Sequence, residues 1–240
     1  MATVLGEVLG EVPGCVLAIY AHPDDADVAC GGALAYWADR GAEVHVLLCT
    51  DGDKGTTDPA VAPAELVRVR SEESTRAAGA LGLHPPDRLR YPDGEVCEDD
   101  VLRKKLVERI RRVRPDIVLT HDPTAVFFGE DYFNHRDHRV VGFAVLDALS
   151  PASALPHYYP EAGPAHQVGT ALLSGTLEPT VWVDVTAVID RKVEAVSSHA
   201  SQFTDGGAWA ARAVRLRAEE EGRRAGLELA EGFRRLRLGG

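Results

Sequence analysis

The stretch Cys15–Asp25 has the sequence CVLAIYAHPDD, in which seven mostly apolar residues are followed at once by a histidine, a proline and two aspartates. A short apolar run of this kind predicts a strand that is covered on both faces of a sheet. A second such run is Val44–Cys49, and Gly32–Arg40 between the two has the spacing of a helix that ends at Gly41. The start of the chain therefore predicts a βαβ unit with polar residues in the turn after its first strand.

The same alternation continues along the chain. Further helices are predicted over Pro63–Leu81, Asp99–Arg114, from near Arg136 to Leu149, and from an N-cap at Thr186 to about Ser198; further strands are predicted over Ile117–Thr120 and Val181–Val185. The four prolines of Pro151–Pro164 favour an ordered loop over a linker between domains. Ala208–Leu238 is charged and helical in tendency, although it contains three glycines.

These elements predict one α/β domain over residues 1–240, Rossmann-like, with a mainly parallel sheet, helices on both faces and a C-terminal helical segment from about residue 206. A chain of 240 residues can bury one large core of this kind. Ligands of such sheets lie at the carboxyl ends of the strands, so we expect the active site there.

Composition limits the classes of function. The net charge of −11 opposes binding to nucleic acid or to an anionic membrane surface. The sequence contains no apolar run long enough to span a membrane, and its N-terminus lacks the pattern of a signal peptide, so we expect a cytoplasmic protein. The four cysteines form no CxxC pair, which predicts buried free thiols with no disulfide and no cysteine zinc site.

The turn Ala21–Asp25 is the first candidate for chemistry. His22 and Asp25 are ligand types that zinc accepts, and Asp24 between them can lie beside a metal as a general base. Taken alone, an ordinary polar turn with a helix cap explains this segment as well.

A second polar motif, Asn134–His138, lies beyond the Ile117–Thr120 strand and opens a helix. There His138 can supply a third ligand, and three protein ligands leave one position for water, as in catalytic zinc sites. A random pair of surface histidines explains this motif in isolation, but both motifs follow strands of the same predicted sheet. Their conjunction favours one metal site built from His22, Asp25 and His138.

With these motifs in place, the sequence resembles the PIG-L/LmbE-like metal-dependent de-N-acetylases. The resemblance extends over nearly the whole chain: AHPDDADVACGGALA, TDGDKGTTD, RSEESTRAAGALG with Arg70, YPDGE with Asp93, HDP at His121–Pro123, NHRDHRVVG, and WVDVTAVIDRKVEAVSSHASQF follow one another as in that family. One departure is Ala26, which stands where an acid commonly follows the two aspartates.

The resemblance implies a role for each matched residue. His22, Asp25 and His138 match the zinc ligands, Asp24 the general base, His135 the histidine that stabilises the oxyanion, when protonated, and Asp137 the acid that orients it. Arg70 and Asp93 resemble positions that contact substrate. We also expect His199 near the pocket, although a histidine near a helix C-terminus has a plain role facing the helix dipole.

The implied activity is removal of an N-acetyl or other N-acyl group from a small amino-sugar or glycoconjugate substrate. Zinc is the expected cofactor, and Fe²⁺ or Co²⁺ fits a His/Asp/His site by similar geometry. The alternatives are an amidase for a thiol-sugar conjugate and a non-catalytic ligand-binding member. A dinucleotide-binding module is disfavoured, because Cys30–Gly32 lacks the GxGxxG spacing and the acidic turn repels a pyrophosphate. The oligomeric state stays open, and a homo-oligomer is compatible with the sequence.

Overall fold

The structure, a computed structural model, describes residues 6–130, 132–203 and 208–239. Its strands are β1 (Glu7–Val8), β2 (Cys15–Tyr20), β3 (Glu43–Thr50), β4 (Asp87–Tyr91), β5 (Ile117–His121), β6 (Phe127–Phe128), β7 (Tyr132–Phe133), β8 (Thr170–Ser174), β9 (Val181–Asp184) and β10 (Ala230–Arg237). Its α-helices are α1 (Asp25–Ala38), α2 (Pro63–Leu81), α3 (Asp100–Val113), α4 (Arg136–Asp147), α5 (Ile189–Ser197) and α6 (Ala208–Ala225).

Eight strands form one sheet in the order β1-β9-β10-β8-β5-β2-β3-β4, and β6 and β7 form a separate hairpin. Strands β8, β5, β2, β3 and β4 are parallel, whereas β10 runs antiparallel between β8 and β9. The predicted mainly parallel α/β fold is thus confirmed. The strand order reverses at β2, which lies between β3 and β5, and this reversal is where ligands of such sheets bind.

Strand β2 shows why the sheet is covered on both faces. Val16, Ala18 and Tyr20 pack on the side of α1 and α5, while Leu17 and Ile19 pack on the side of α3 and α4. All five residues are at most 1% exposed. An apolar run without alternation therefore becomes the central strand, as the pattern of Cys15–Tyr20 predicts.

Helix α1 begins earlier than predicted. It starts at Asp25, directly after the HPD turn, and not at Gly32. The missed part contains small residues that are buried on several sides, among them Ala26 and Cys30, so it shows no amphipathic spacing. Because the helix starts at Asp25, the polar turn and the first helical residue lie side by side at the carboxyl end of β2.

The C-terminal segment is only half helical. Helix α6 ends at Ala225, Gly226 takes a positive φ of 72°, and Ala230–Arg237 forms strand β10, so the prediction of helix to Leu238 is wrong. The predicted start near residue 206 lies outside the described residues. Thr186 caps no helix, because its hydroxyl lies against the backbone of Leu229, and α5 begins at Ile189.

The proline-rich segment Pro151–Pro164 is an ordered loop, as predicted. The buried guanidinium of Arg111 donates hydrogen bonds to six backbone carbonyls of this loop, those of Ala152, Ser153, Leu155, Tyr158, Tyr159 and Gly163. One charged side chain from α3 thus ties six carbonyl oxygens of this loop to the helix.

All four cysteines are free, as predicted, and Cys30 and Cys49 are buried. Cys97 is exposed and Cys15 half-buried, so the expectation of burial is wrong for Cys97. Among the described residues, no helix is both long and apolar enough to cross a membrane.

Candidate active site

The two sequence motifs meet at the carboxyl edge of the sheet, where the strand order reverses. His22, Asp24 and Asp25 follow β2, and His138 lies in the first turn of α4. Helix α4 approaches the end of β5 closely, since a Cβ on Gly142 would fall 2.8 Å from the carbonyl oxygen of His121. This close packing brings residues more than a hundred positions apart into contact.

His22, Asp25 and His138 form a convergent trio. Nδ1 of His22 lies 3.2 Å from Oδ2 of Asp25 and 3.1 Å from Nε2 of His138, and Nε2 of His138 lies 3.1 Å from Oδ1 of Asp25. Tetrahedral zinc with bonds of about 2.0–2.1 Å places its ligand atoms about 3.3 Å apart. The trio therefore has the donor types and the spacing of three ligands around one divalent cation.

Hydrogen bonds behind the trio orient its rings. Nε2 of His22 donates to Oδ1 of Asp93 over 3.1 Å, and Nδ1 of His138 donates to Oδ1 of Asn134 over 2.9 Å. In the neutral rings, each remaining nitrogen then carries a lone pair that faces the centre of the trio. Metal-binding histidines are held in this way by a carboxylate or carbonyl on the far nitrogen.

The electrostatics of the trio favour a positive charge. Burial acts to lower the pKa of His22, but Asp25, Asp137 and Asp93 together raise it to about 12. Burial also acts to raise the pKa of Asp25, yet the facing histidines hold it well below its usual range. A divalent cation between these ring nitrogens and the carboxylate would supply the positive charge that this setting favours. The chain's own residues thus fit the metal that the sequence predicts.

Asp24 lies at the cavity beside the trio, and Arg70 holds it. Nη2 of Arg70 donates to Oδ1 of Asp24 over 2.9 Å, and its Nη1 donates to the carbonyl of Gly52. A Cβ on Gly52, whose φ is 67°, would fall 2.3 Å from Arg70 Nη1. The glycine of the TDGDKG loop is therefore needed for the loop to close over this guanidinium.

His135 lies next to the trio, with its ring centroid 4.7 Å from that of His22. Its Nδ1 accepts a hydrogen bond from the backbone N–H of Asp137, so the neutral ring carries its proton on Nε2. Burial and the charges of His22 and His138 lower the pKa of His135. A neutral His135 can thus still donate a hydrogen bond, from its Nε2.

The carboxylate of Asp137 does not lie on His135. It accepts from the backbone N–H of Gly94 over 2.7 Å and lies 3.6 Å from Nε2 of His22. Only the main chain of Asp137 orients His135, while its fully buried side chain adds negative charge behind His22. The Asp137 carboxylate therefore lies beside His22, a member of the trio, and not on His135 as the resemblance implies.

Sequence reasoning assigned no role to two residues that contact the trio. The ring of His121, the last residue of β5, stacks on that of His138 at 4.1 Å, and its Nε2 accepts from the backbone N–H of Ala21. Burial, together with the charge of His138, lowers the pKa of His121 to about 4. Asn134 is the second such residue. Two features of the sequence could have indicated these contacts: His121 directly follows a predicted strand, and Asn134 precedes His138 by four residues.

The residues expected to contact substrate are buried behind the site. Arg70, Asp93 and His199 are 3%, 8% and 0% exposed, and none of them is among the described residues that line the cavity. Nε2 of His199 pairs with Asp27 over 2.7 Å. We call Arg70, Asp93, Asn134 and Asp137 the support residues, because each contacts a trio member or Asp24.

A cavity of about 460 Å³ opens in front of the trio. Its lining combines Asp24, Asp25, His121, His138, Asn134, Ser174 and Arg217 with the apolar or aromatic residues Val28, Ala29, Phe128, Tyr132 and Phe203. Phe128 and Tyr132 reach the cavity from the hairpin of β6 and β7, and Phe203 and Arg217 reach it from the C-terminal part of the chain.

Comparison with known proteins agrees with this geometry. The family model described as PIG-L: GlcNAc-PI de-N-acetylase matches residues 17–149, which include the trio, Asp24 and all four support residues. The chain belongs to the PIG-L family. The match ends in helical residues that follow α4, so it covers the parallel strands β2 to β5 and the loops that carry the site.

Proteins similar to this chain include deacetylases. The chain is 38% identical over 194 residues to diacetylchitobiose deacetylase of Thermococcus kodakarensis, covering 79% of this chain and 70% of the relative. It is 29% identical to 1D-myo-inositol 2-acetamido-2-deoxy-alpha-D-glucopyranoside deacetylase of Rhodococcus jostii, covering 79% and 82%. The structure of N,N'-diacetylchitobiose deacetylase from Pyrococcus horikoshii matches with a TM-score of 0.85 and 31% identity, covering 94% of this chain and 84% of that one.

Proposed function

We propose that the protein is a metal-dependent N-deacetylase that hydrolyses the acetamide of an amino-sugar substrate. The observation that carries the proposal is the trio with its two inward lone pairs, beside a carboxylate, Asp24, that lines the same cavity. A non-catalytic binding protein has no need for this combination of cation ligands and an adjacent base.

His22, Asp25 and His138 would hold the cation, and zinc suits their two nitrogens and one carboxylate. The bound cation supplies polarisation of the amide carbonyl and lowers the pKa of a water molecule. Iron(II) and cobalt accept the same donor types, so the geometry selects a class of metal and the native ion is part of the proposal.

Asp24 is the proposed general base. It lies between His22 and Asp25 in sequence, yet its side chain pairs with Arg70 and lines the cavity. A carboxylate in this position can accept a proton from the attacking water and return it to the departing amine nitrogen. Arg70 fixes the carboxylate in one orientation, which preserves the alignment that proton transfer requires.

His135 is the proposed donor to the oxyanion. Its Nδ1 accepts a hydrogen bond from the backbone N–H of Asp137, so the neutral ring carries its own N–H on Nε2 and could donate it to an oxyanion. A fixed donor aimed at developing negative charge stabilises the transition state more than the ground state. Asp137 contributes through its main chain and, by its carboxylate, through His22.

The cavity supports a sugar substrate. Phe128, Tyr132 and Phe203 provide aromatic surface for the apolar face of a pyranose ring, and the exposed Arg217 provides a polar group for its hydroxyls. The relatives that act on diacetylchitobiose and on a GlcNAc-inositol place such substrates first among those to be tested. We further propose that residues 1–240 form one deacetylase domain, since β8, β9 and β10 extend the sheet that the family match begins.

Acetate release tests the proposal. The full chain is stripped of metal with a chelator, then supplied with zinc, and assayed with N,N'-diacetylchitobiose, a GlcNAc-inositol and a thiol-sugar conjugate. We expect acetate and a free amine from an N-acetylated amino sugar only after about one equivalent of zinc is added. Turnover that does not depend on metal, or preference for the thiol conjugate, would contradict this assignment.

A further inference from the structure

A second group of side chains of the types that bind metals lies at the amino ends of β2 and β3, away from the trio. Cys15 of β2 pairs in register with Glu43 of β3, and His45 follows Glu43 by two residues on the same strand. Side chains of paired residues, and of residues two apart, lie on one face of a sheet. The pairing of β2 with β3 thus places a thiol, a carboxylate and an imidazole together.

The ligand atoms of these three residues are close. Nε2 of His45 lies 2.8 Å from Oε1 of Glu43. One ring nitrogen of His45, one carboxylate oxygen of Glu43 and the Sγ of Cys15 all lie within 4.8 Å of one another. Tetrahedral zinc with sulfur and nitrogen ligands places those atoms about 3.5 Å apart. Glu43 and His45 have side chains 71% and 34% exposed, so they can make the small rotations that close the remaining distance.

The surroundings are suited to a cation. Glu43 and Asp116 face Cys15, and burial together with these two charges raises the pKa of its thiol to about 11. The thiol is therefore protonated at neutral pH and contacts the carbonyl of Val113 at 3.7 Å. A divalent cation would compensate the two negative charges, and a rigid strand pair holds the three donors in place before it arrives.

We propose that Cys15, Glu43 and His45 form a second site for a divalent transition metal such as zinc or cobalt, with water completing the coordination. Binding forms a metal–sulfur bond and releases the thiol proton to solvent. Soft thiolate and borderline imidazole ligands select such ions over magnesium or calcium. The site lies at the other end of β2 from the trio, roughly 20 Å away at about 3.3 Å per residue.

The two metal sites differ in a way that spectroscopy detects. The trio offers only nitrogen and oxygen, whereas the second site offers sulfur, so only the second site gives a sulfur-to-cobalt charge-transfer band. The full-length chain is titrated with Co²⁺ after removal of metal, with His22→Ala used to abolish binding at the trio. We expect the band to saturate at about one equivalent of Co²⁺ per chain in His22→Ala and at about two in the wild type, where the trio takes up the other, with one proton released for each cobalt ion bound to Cys15.

Variants assign the band. Cys15→Ser should lose it entirely, and His45→Gln should weaken cobalt binding at least about tenfold. Cys97→Ser changes the one exposed cysteine among the described residues and should leave the band intact. Should Cys15→Ser fail to fold, as judged by circular dichroism, the surface variant His45→Gln still tests the site. Catalytic turnover of His45→Gln should equal that of the wild type.

Three results would overturn the proposal: no charge-transfer band in the wild type, a band that persists in Cys15→Ser, or a band that requires a large excess of cobalt and does not change in His45→Gln. None of these depends on turnover, so a failure of the second site is distinguishable from a failure of the proposed deacetylase activity.

Discussion

The trio and the support residues are alike in composition but differ in what their atoms face. His22, Asp25 and His138 place donor atoms 3.1–3.2 Å from one another, whereas Asp93 and Asn134 each bind the far nitrogen of one histidine. Both groups contain polar, mainly buried side chains. Residue type and burial therefore do not separate a metal ligand from the group that orients it; the direction of each nitrogen does.

The largest effect is expected from the trio. Replacing His22 by alanine leaves only Asp25 and His138 to hold the cation. The protein should therefore lose its metal and its turnover together. Elemental analysis and acetate release measure both. His84→Ala, at an exposed histidine, is the matched control and should change neither. Full metal occupancy in His22→Ala would remove His22 from the trio.

A smaller effect is expected from His135, which lies beside the trio without belonging to it. His135→Ala should lower kcat by about 10²–10³, the usual consequence of losing one oxyanion donor, with metal content unchanged. His22, His135 and His138 also have ligand atoms close enough for one ion. Loss of metal in this variant would show that His135, and not Asp25, completes the trio.

Replacing a support residue should weaken metal binding without abolishing it. Asp93→Asn replaces the carboxylate that holds Nε2 of His22 by an amide, and we expect metal affinity to fall by about 10–100-fold. Turnover of the fully loaded variant should stay near wild type. Asp58→Asn, at an exposed aspartate, serves as control. A raised KM at unchanged metal affinity would instead place Asp93 against substrate, as the family resemblance implies.

The smallest change is expected from Arg70→Lys. Lysine keeps the charge but lacks the planar fork that binds Asp24 and the Gly52 carbonyl at once. We expect kcat to fall by about tenfold through poorer alignment of Asp24, with KM and metal content unchanged. Arg76→Lys, on the exposed side of the same helix, should have no effect. A rise in KM alone would make Arg70 a substrate contact.

Local patterns were enough to predict the centre of the fold. The bounds of α2 agree with the prediction at both ends, because Pro63 and Gly82 mark them chemically. The prediction of β2 also holds, and the placement of His22 and Asp25 after it follows from strand and turn alone. Strand β10 could not be found in this way, since its charged sequence is extended by pairing with β8 and β9.

In the candidate site, too, some features follow from the sequence pattern and others are decided by packing. The convergence of the trio was predictable because its residue types and their positions after strands are properties of the sequence; its role as a ligand set stays a prediction. The support roles of Arg70 and Asp93 were not, because burial of a polar side chain is decided by what packs over it. Arg70 is covered by the loop at Gly52, and Asp93 is turned toward His22 by its backbone bond to Asp53.

The central claim, that neighbouring aspartates have different roles, is tested most directly by Asp24→Asn and Asp25→Asn, with metal content and kcat measured with and without added zinc. Asp24→Asn should keep its metal while kcat falls by about 10²–10⁴, the contribution of general-base catalysis, and zinc should not restore it. Asp25→Asn should lose metal and regain part of its activity in excess zinc. Recovery of Asp24→Asn by zinc alone, or an Asp25→Asn protein with full metal content, would contradict the account.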